Sequence, residues 1–110
     1  MAGAAIMVIT QMPDRASALV LARSLVESRI AACVSVGAPV ESLYHWRGKI
    51  ETAQEVPVVV KTQPARYPEV EAAIRSQHPY ELPEIVAVPV RHGFEDYLQW
   101  VVDETTIAIG

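Results

Sequence analysis

The chain contains only one cysteine, Cys33, and this scarcity excludes an intramolecular disulfide framework. A lone thiol is typical of a reducing compartment, so we expect a cytoplasmic protein. Long hydrophobic runs are also missing. The longest N-terminal one, Ala4 to Thr10, falls far short of the roughly 20 residues that a membrane-spanning helix needs. No charged region precedes it, and we expect a soluble protein without a membrane span.

Basic residues are few and scattered. Nine lysines and arginines stand against 13 acidic residues, and the formal net charge is −4. Nucleic-acid binding requires a concentrated cationic surface, so we expect no nucleic-acid partner. The 110 residues are 51% hydrophobic and 20% charged, which excludes a disordered chain. The composition predicts one domain over residues 1–110, large enough to bury about two-thirds of its unfolded surface.

The segment from Val40 to Thr62 has the alternating pattern of a two-stranded β ribbon. Arg47-Gly48 separates its two arms, and a glycine there supplies the positive φ of a primed hairpin turn. The second arm, Lys49 to Thr62, has 14 residues and would span roughly 45 Å as an unbroken strand. A compact domain of this size is only about 35 Å across. We therefore expect the ribbon tip to extend beyond its own domain.

Large apolar side chains lie near the expected tip, at Tyr44, Trp46 and Ile50. A monomer would leave them in water, where an apolar ribbon either aggregates or docks. We interpret them as the contact surface between identical subunits. The two aromatic residues are expected to anchor that interface, because large aromatics dominate interface energetics.

The rest of the pattern predicts two β-α-β halves joined by the ribbon. Buried strands are expected at Ala4–Thr10, Ile30–Val36 and Glu84–Val90, and the first of them has the continuous apolar pattern of a strand covered on both faces. Helices are expected to begin near Asp14 and Pro68, with a short C-terminal helix after Phe94. This order predicts an α+β, ferredoxin-like βαββαβ sandwich. Pro57 falls inside a central strand, so we expect it at a bulge or where the ribbon leaves the sheet.

Motifs along most of the chain closely resemble the CutA family of divalent-ion tolerance proteins. They are Ala32-Cys33-Val34, Tyr44-His45-Trp46-Arg47-Gly48-Lys49-Ile50, Glu55, Lys61-Thr62, His78-Pro79-Tyr80-Glu81-Leu82-Pro83-Glu84-Ile85 and Tyr97-Leu98-Gln99-Trp100. The resemblance implies a ferredoxin-like subunit, a homotrimer held together by the ribbons, tolerance to copper and other divalent metals, and no catalytic activity. Ser35 departs from the asparagine that the family usually carries there.

Cys33 is the only soft metal ligand in the sequence, and its thiolate would suit Cu(I) or zinc. A metal site needs two to four ligands, and His78 and Glu81 are the other candidates. The histidines have none of the short spacings of a metal site, so these ligands would have to converge in the fold. A small buried hydrophobe is the commoner role for a cysteine in an apolar strand, and both interpretations stay open.

The segment His78–Glu84 contains two prolines, an imidazole, a phenol and two carboxylates. Such a stiff loop holds polar groups in fixed directions, as a binding site requires. We expect a ligand cleft between subunits, with Glu81 beside it. Its expected lining residues are Lys61, Tyr80, Glu84 and Trp100. The alternatives are a simple turn with Tyr80 packed and Glu81 capping, and a ladder of exposed charges from Glu55 to Lys61. No nucleophile–base pair accompanies the carboxylates, so we expect no enzyme.

Three functions are compatible with these features. The first is a non-enzymatic, homotrimeric divalent cation tolerance protein that binds copper or a similar ion. The second is a trimeric small-ligand sensor or adaptor with an inter-subunit cleft, similar in architecture to PII-type signalling proteins. The third is a structural module that presents a surface to a partner. The resemblance favours the first.

Overall fold

The computed structural model describes residues 5–106. The elements are β1 (Ile6–Met12), α1 (Arg15–Glu27), β2 (Cys33–Val36), β3 (Val40–Trp46), β4 (Lys49–Thr62), α2 (Tyr67–Gln77), β5 (Ile85–Pro89) and α3 (Glu95–Glu104). All strand pairs are antiparallel and the strand order is β2-β4-β1-β5, with β3 also paired to β4. The α+β class and the ferredoxin-like arrangement are confirmed.

The second strand of the expected fold is interrupted, which gives the sheet five strands rather than four. β2 pairs with β4 up to Val36 opposite Val58, and β3 resumes with Val40 opposite Glu55, so the register shifts by one residue. Pro57 lies in this gap, where its carbonyl accepts a hydrogen bond of 2.9 Å from the Gly37 N–H. The expectation that Pro57 marks the point where the ribbon leaves the sheet is therefore confirmed.

Two predicted strand starts were too early. β2 begins at Cys33 and not at Ile30, because Arg29 turns the chain with a positive φ of 62° after α1. β5 begins at Ile85 and not at Glu84. Ala4 lies outside the described residues. The predicted start of α1 is confirmed: the Asp14 carboxylate accepts a hydrogen bond of 2.7 Å from the Ser17 N–H and caps the helix.

The main core lies between one sheet face and the helices α1 and α2. Its buried side chains include Val8, Met12, Leu21, Leu25, Val58, Val60, Val70 and Ile74. β1 alternates buried with half-buried residues, so the expectation that it is covered on both faces is wrong for the isolated chain. A smaller cluster joins Leu98 and Val101 of α3 to Ala5.

The opposite side of the sheet is called here the open sheet face, and it carries Met7, Ile9, Val59, Val86 and Val88. Strand pairing sets these residues side by side, with Ile9 between Val59 and Val86. Val86 is 47% exposed and Val88 is 39% exposed. An apolar strip of this kind remains in contact with water in the isolated chain.

β4 runs unbroken for 14 residues, as the sequence predicted. β1 pairs only with residues 56–62 of it, so residues 49–55 pair with β3 alone. Arg47 (φ 50°) and Gly48 (φ 79°) form the expected left-handed turn. The chain measures 49 × 29 × 23 Å, which confirms that the ribbon extends beyond the body. No described helix is long and apolar enough to cross a membrane.

Candidate functional site

A cavity of about 790 Å³ lies where the ribbon leaves the sheet, and we call it the ribbon cavity. Its walls come from the end of β1, from β3, from Glu55 on β4 and from the loop that links α2 to β5. The lining residues are Gln11, Ser42, Leu43, Tyr44, His45, Trp46, Glu55, Tyr80, Glu81, Leu82, Pro83 and Glu84. The segment that the sequence singled out as a stiff loop therefore forms one wall of a concave site.

Glu55 is a charged residue of this cavity that sequence reasoning did not assign to a site. Val40 lies opposite Glu55 and Ser42 opposite Ala53, so the Glu55 side chain shares a ribbon face with Tyr44 and Trp46. Only 8% of Glu55 is exposed. The alternative of an exposed charge ladder is therefore wrong for Glu55. The sequence could have indicated this position, because pairing of the two arms across the turn places Glu55 on the same face as the aromatic residues of the other arm.

His78 is buried and holds the loop onto β1. Its Nε2 lies 2.6 Å from the carbonyl oxygen of Gln11, and its Nδ1 lies 3.3 Å from the Tyr80 backbone N–H. A neutral imidazole can form both hydrogen bonds when its Nε2–H donates to the Gln11 carbonyl and its Nδ1 accepts from the Tyr80 N–H. β5 pairs with β1 only as far as Thr10, so His78 satisfies the next carbonyl along the strand. Both ring nitrogens of this predicted metal ligand are thus engaged within the subunit.

Tyr80 packs on His78, with ring centroids 4.5 Å apart, and also lines the ribbon cavity. Partial burial raises the pKa of the Tyr80 phenol, and the neighbouring Glu55 carboxylate raises it further. The Tyr80 phenol and the Glu55 carboxylate are therefore neighbours in the wall of the cavity. The packed role and the site role proposed for Tyr80 are therefore compatible.

Glu81 connects the loop to the ribbon turn. Its carboxylate lies 3.2 Å from the Arg47 guanidinium, and the Arg47 guanidinium carbon lies 5.3 Å from the centre of the Trp46 ring. Both charged side chains are largely exposed, so the ion pair contributes under about 1 kcal/mol. The capping role suggested for Glu81 is replaced by this contact with Arg47.

A second polar cluster lies at the other end of the sheet, around Cys33. Cys33 pairs with Lys61 across β2 and β4, and the Lys61 Nζ lies 2.6 Å from the Ser35 hydroxyl. Partial burial and then the Cys33 sulfur raise the pKa of the Tyr97 phenol. Trp100 packs on Tyr97 at a centroid distance of 5.6 Å.

The two clusters are well separated within one subunit. Lys61 pairs with Cys33 while Pro57 pairs with Gln11, and four residues of strand correspond to roughly 13 Å. Cys33 is therefore not brought together with His78 and Glu81. The residues predicted to line one ligand cleft are also separated, because Tyr80 and Glu84 line the ribbon cavity while Lys61 does not. Within residues 5–106, no group of three His, Cys, Asp or Glu side chains is close enough to hold a metal ion.

The predicted interface residues lie on both faces of the ribbon. Tyr44 and Trp46 share the cavity face, whereas Ile50 pairs with His45 on the reverse face beside Leu43. Ile50 and Leu43 are each 69% exposed, and Tyr44 is also exposed. Apolar groups are thus available to a partner on two sides of the overhanging arm.

Comparison with known proteins places these features in a family. The family model described as CutA1 divalent ion tolerance protein matches residues 6–104. The Divalent-cation tolerance protein CutA of Thermus thermophilus is 37% identical over 98 residues, which cover 89% of this chain and 95% of that protein. Its solved structure superposes with a TM-score of 0.90 at 35% identity, covering 93% of this chain and 99% of that one.

Similar chains are found in other organisms. Protein CutA of Homo sapiens is 45% identical over 89 residues, which cover 81% of this chain, but this chain spans only 50% of the human protein. The solved Periplasmic divalent cation tolerance protein CutA of Archaeoglobus fulgidus has a TM-score of 0.89 at 31% identity, covering 93% of this chain and 99% of that one. The resemblance seen in the motifs is confirmed over nearly the whole chain. The chain belongs to the CutA1 family of divalent ion tolerance proteins.

Proposed function

We propose that this chain is a non-enzymatic, homotrimeric divalent cation tolerance protein that binds copper or a similar metal ion and takes part in the response to metal ions. The observation that carries the proposal is the family match over residues 6–104, together with a relative named for divalent-cation tolerance. The chemistry of Cys33 supports it, because a half-buried thiol on a sheet face is a ligand for soft or borderline metals.

Assembly into a trimer would cover the apolar surface that one subunit leaves in water. The open sheet face and the exposed side chains Leu43 and Ile50 support this part of the proposal. Sedimentation velocity should give a species of three times the 12.1 kDa chain mass. Trp46→Ala and Ile50→Thr should each shift material to smaller species, because they remove apolar interface area.

Val20→Thr is the matched control for these variants, since Val20 is an exposed apolar residue on α1, away from the open sheet face. It should leave sedimentation unchanged. A folded monomer in the unsubstituted protein at micromolar concentration would contradict the trimer. Equal sedimentation of Trp46→Ala, Ile50→Thr and the parent would remove those residues from the interface.

The metal site of this proposal is completed between subunits, because one subunit keeps Cys33 apart from the other candidate ligands. Cys33 is the central ligand. Glu81 is exposed and only weakly held by Arg47, so it can turn towards an ion supplied by a neighbour. His78 would have to give up its contact with the Gln11 carbonyl, and we assign it the supporting role in the loop.

Calorimetric titration with Cu(I), Cu(II) and Zn(II) tests the metal site. Cys33→Ala should lose most of the Cu(I) affinity, because Cys33 is the only thiol. Ser35→Ala is the matched control, since Ser35 lies two residues further on the same strand and face and has no soft ligand atom. Equal heats for Cys33→Ala and the parent protein would exclude Cys33 from the site.

Location in the cytoplasm is also part of the proposal, and the lone thiol supports it because a reducing compartment keeps such a group free. The Archaeoglobus fulgidus relative, by contrast, is named as a periplasmic protein. Cell fractionation combined with alkylation of Cys33 distinguishes the two compartments. Recovery of the chain in the periplasmic fraction would contradict our proposal.

A second candidate function is a small-ligand sensor or adaptor, and the ribbon cavity favours it because it presents Tyr80 and Glu84 in a concave site. Lys61 and Trp100 would have to come from a neighbouring subunit to complete the predicted cleft. Inorganic phosphate is the probe for the Lys61 side of this cleft, because the ribbon cavity itself is lined by carboxylates. Lys61→Met should abolish the binding, and equal affinity in the variant and the parent would contradict it.

A further inference from the structure

We propose that the ribbon cavity binds a linear aliphatic polyamine, a flexible organic cation with two or more ammonium groups. The inference goes beyond metal tolerance and does not depend on Cys33. It rests on the charge, the aromatic lining and the size of the cavity.

The charge of the cavity is negative and incompletely neutralised. Glu55, Glu81 and Glu84 all line it, and Arg47 at its rim pairs with Glu81. His45 also lines the cavity; with His45 counted as neutral, three carboxylates and one guanidinium leave two negative charges. Glu55 matters most, because it is 8% exposed, has no salt-bridge partner among residues 5–106 and has only an uncharged side chain, the Tyr80 phenol, named beside it. Burial of a carboxylate to that degree is unfavourable unless a cation or strong hydrogen-bond donors stabilise it.

The neutral part of the lining suits ammonium groups. Tyr44, Trp46 and Tyr80 present aromatic rings to the cavity, and aromatic faces attract organic cations. The side-chain oxygen of Gln11 is buried without a hydrogen-bond partner within the described residues. An acceptor of this kind is normally satisfied, and an N–H group entering the cavity would satisfy it. Methylene groups between two amines would lie against the apolar walls.

The size of the cavity and the spacing of its acids favour an extended cation over a bare ion. No set of three metal-binding side chains converges at one point in the described part of the chain. The volume of about 790 Å³ lies within the range of small-molecule sites, roughly 300–1,000 Å³. Several carboxylates spaced along one cavity can each pair with a different ammonium group of one polyamine molecule.

Titration calorimetry of the full chain with the linear triamine spermidine at low salt tests the proposal. We expect saturable binding of one spermidine per chain. The monoamine 1-aminobutane should bind at least about tenfold more weakly, since it can satisfy only one carboxylate. Glu55→Gln, which keeps the shape of the side chain and removes its charge, should weaken spermidine binding about tenfold or more.

Glu41→Gln is the matched control, because Glu41 lies on the same ribbon, opposite Gln54, and is not among the residues that line the cavity. It removes the same charge and should leave the affinity within about twofold. Glu84→Gln, at an exposed position where a folding defect is not expected, provides a second test and should also weaken binding. Cys33→Ala should bind spermidine as the parent does, which separates this site from the metal proposal.

Three results would overturn the inference. The first is the absence of saturable heat with spermidine, as would occur if a side chain of a neighbouring subunit filled the cavity. The second is equal affinity of the parent and Glu55→Gln. The third is displacement of spermidine by magnesium chloride at the same concentration, because simple charge attraction would then account for the heat.

Discussion

Replacement of His78 by phenylalanine should destabilise the protein even when no metal is present. The change keeps a ring of similar size against Tyr80 and removes both ring nitrogens. Two groups then lose their partners: the Gln11 carbonyl, now bonded at 2.6 Å, and the Tyr80 N–H, now bonded at 3.3 Å. His78 itself is 8% exposed, so water can replace these contacts only partly.

The expected size of the effect follows from these two contacts. A buried polar group that loses its partner costs about 1–3 kcal/mol, and the longer Tyr80 contact should lie at the low end. We expect the free energy of unfolding to fall by about 2–4 kcal/mol. For a domain of this length that corresponds to roughly 8–16 °C in melting temperature.

Urea and thermal unfolding in the presence of a metal chelator measure this change. His92→Phe is the matched control, because His92 is exposed, and it should change the free energy of unfolding by less than about 0.5 kcal/mol. If His78 acted only as a metal ligand, His78→Phe and the parent would be equally stable in chelator. That result would refute the supporting role assigned to His78.

Three further predictions concern other positions. Gly37→Ala should lower the free energy of unfolding by about 1–3 kcal/mol, because a Cβ at this position would lie 2.9 Å from the Pro57 ring. An equal decrease in the control variant Ala38→Ser would contradict this. The Ser17 N–H lowers the pKa of Asp14, so the ionised carboxylate stabilises the folded state at pH values above its unfolded pKa, and this stability is lost as the pH falls through the folded pKa. Asp14→Asn should remove that part of the acid dependence of the free energy of unfolding. Equal acid dependence in the variant and the parent would exclude this contribution of Asp14. Glu55→Gln should lower the pKa of Tyr80 towards its ordinary value in an NMR titration of the ring, and an unchanged pKa would place Glu55 away from the phenol.

Local sequence patterns were sufficient to predict much of the fold. The turn at Arg47-Gly48 and the cap at Asp14 each depend on a few neighbouring residues, and both were predicted correctly. The position of Pro57 was also predictable, because proline removes a backbone donor and is therefore confined to places where pairing changes.

The candidate site was harder to predict, because it depends on contacts between distant parts of the chain. Glu55 lies beside Tyr80, which comes 25 residues later in the chain, and local patterns do not predict such a contact. The inward turn of His78 depends on β5 starting at Ile85, which leaves the Gln11 carbonyl unpaired by the sheet. Separation of Lys61 from Tyr80 follows from strand register, which alternating patterns leave undetermined over such distances.

The unbroken course of β4 links folding to association. Its last seven residues, Val56–Thr62, pair with β1 inside the body, and its first seven, Lys49–Glu55, form the projecting arm without any hinge between them. A chain that loses its body structure must also lose the arm, and an arm held by neighbours restrains the body. Any oligomer built through this arm should melt and dissociate in one concentration-dependent transition, with no population of native single chains in between.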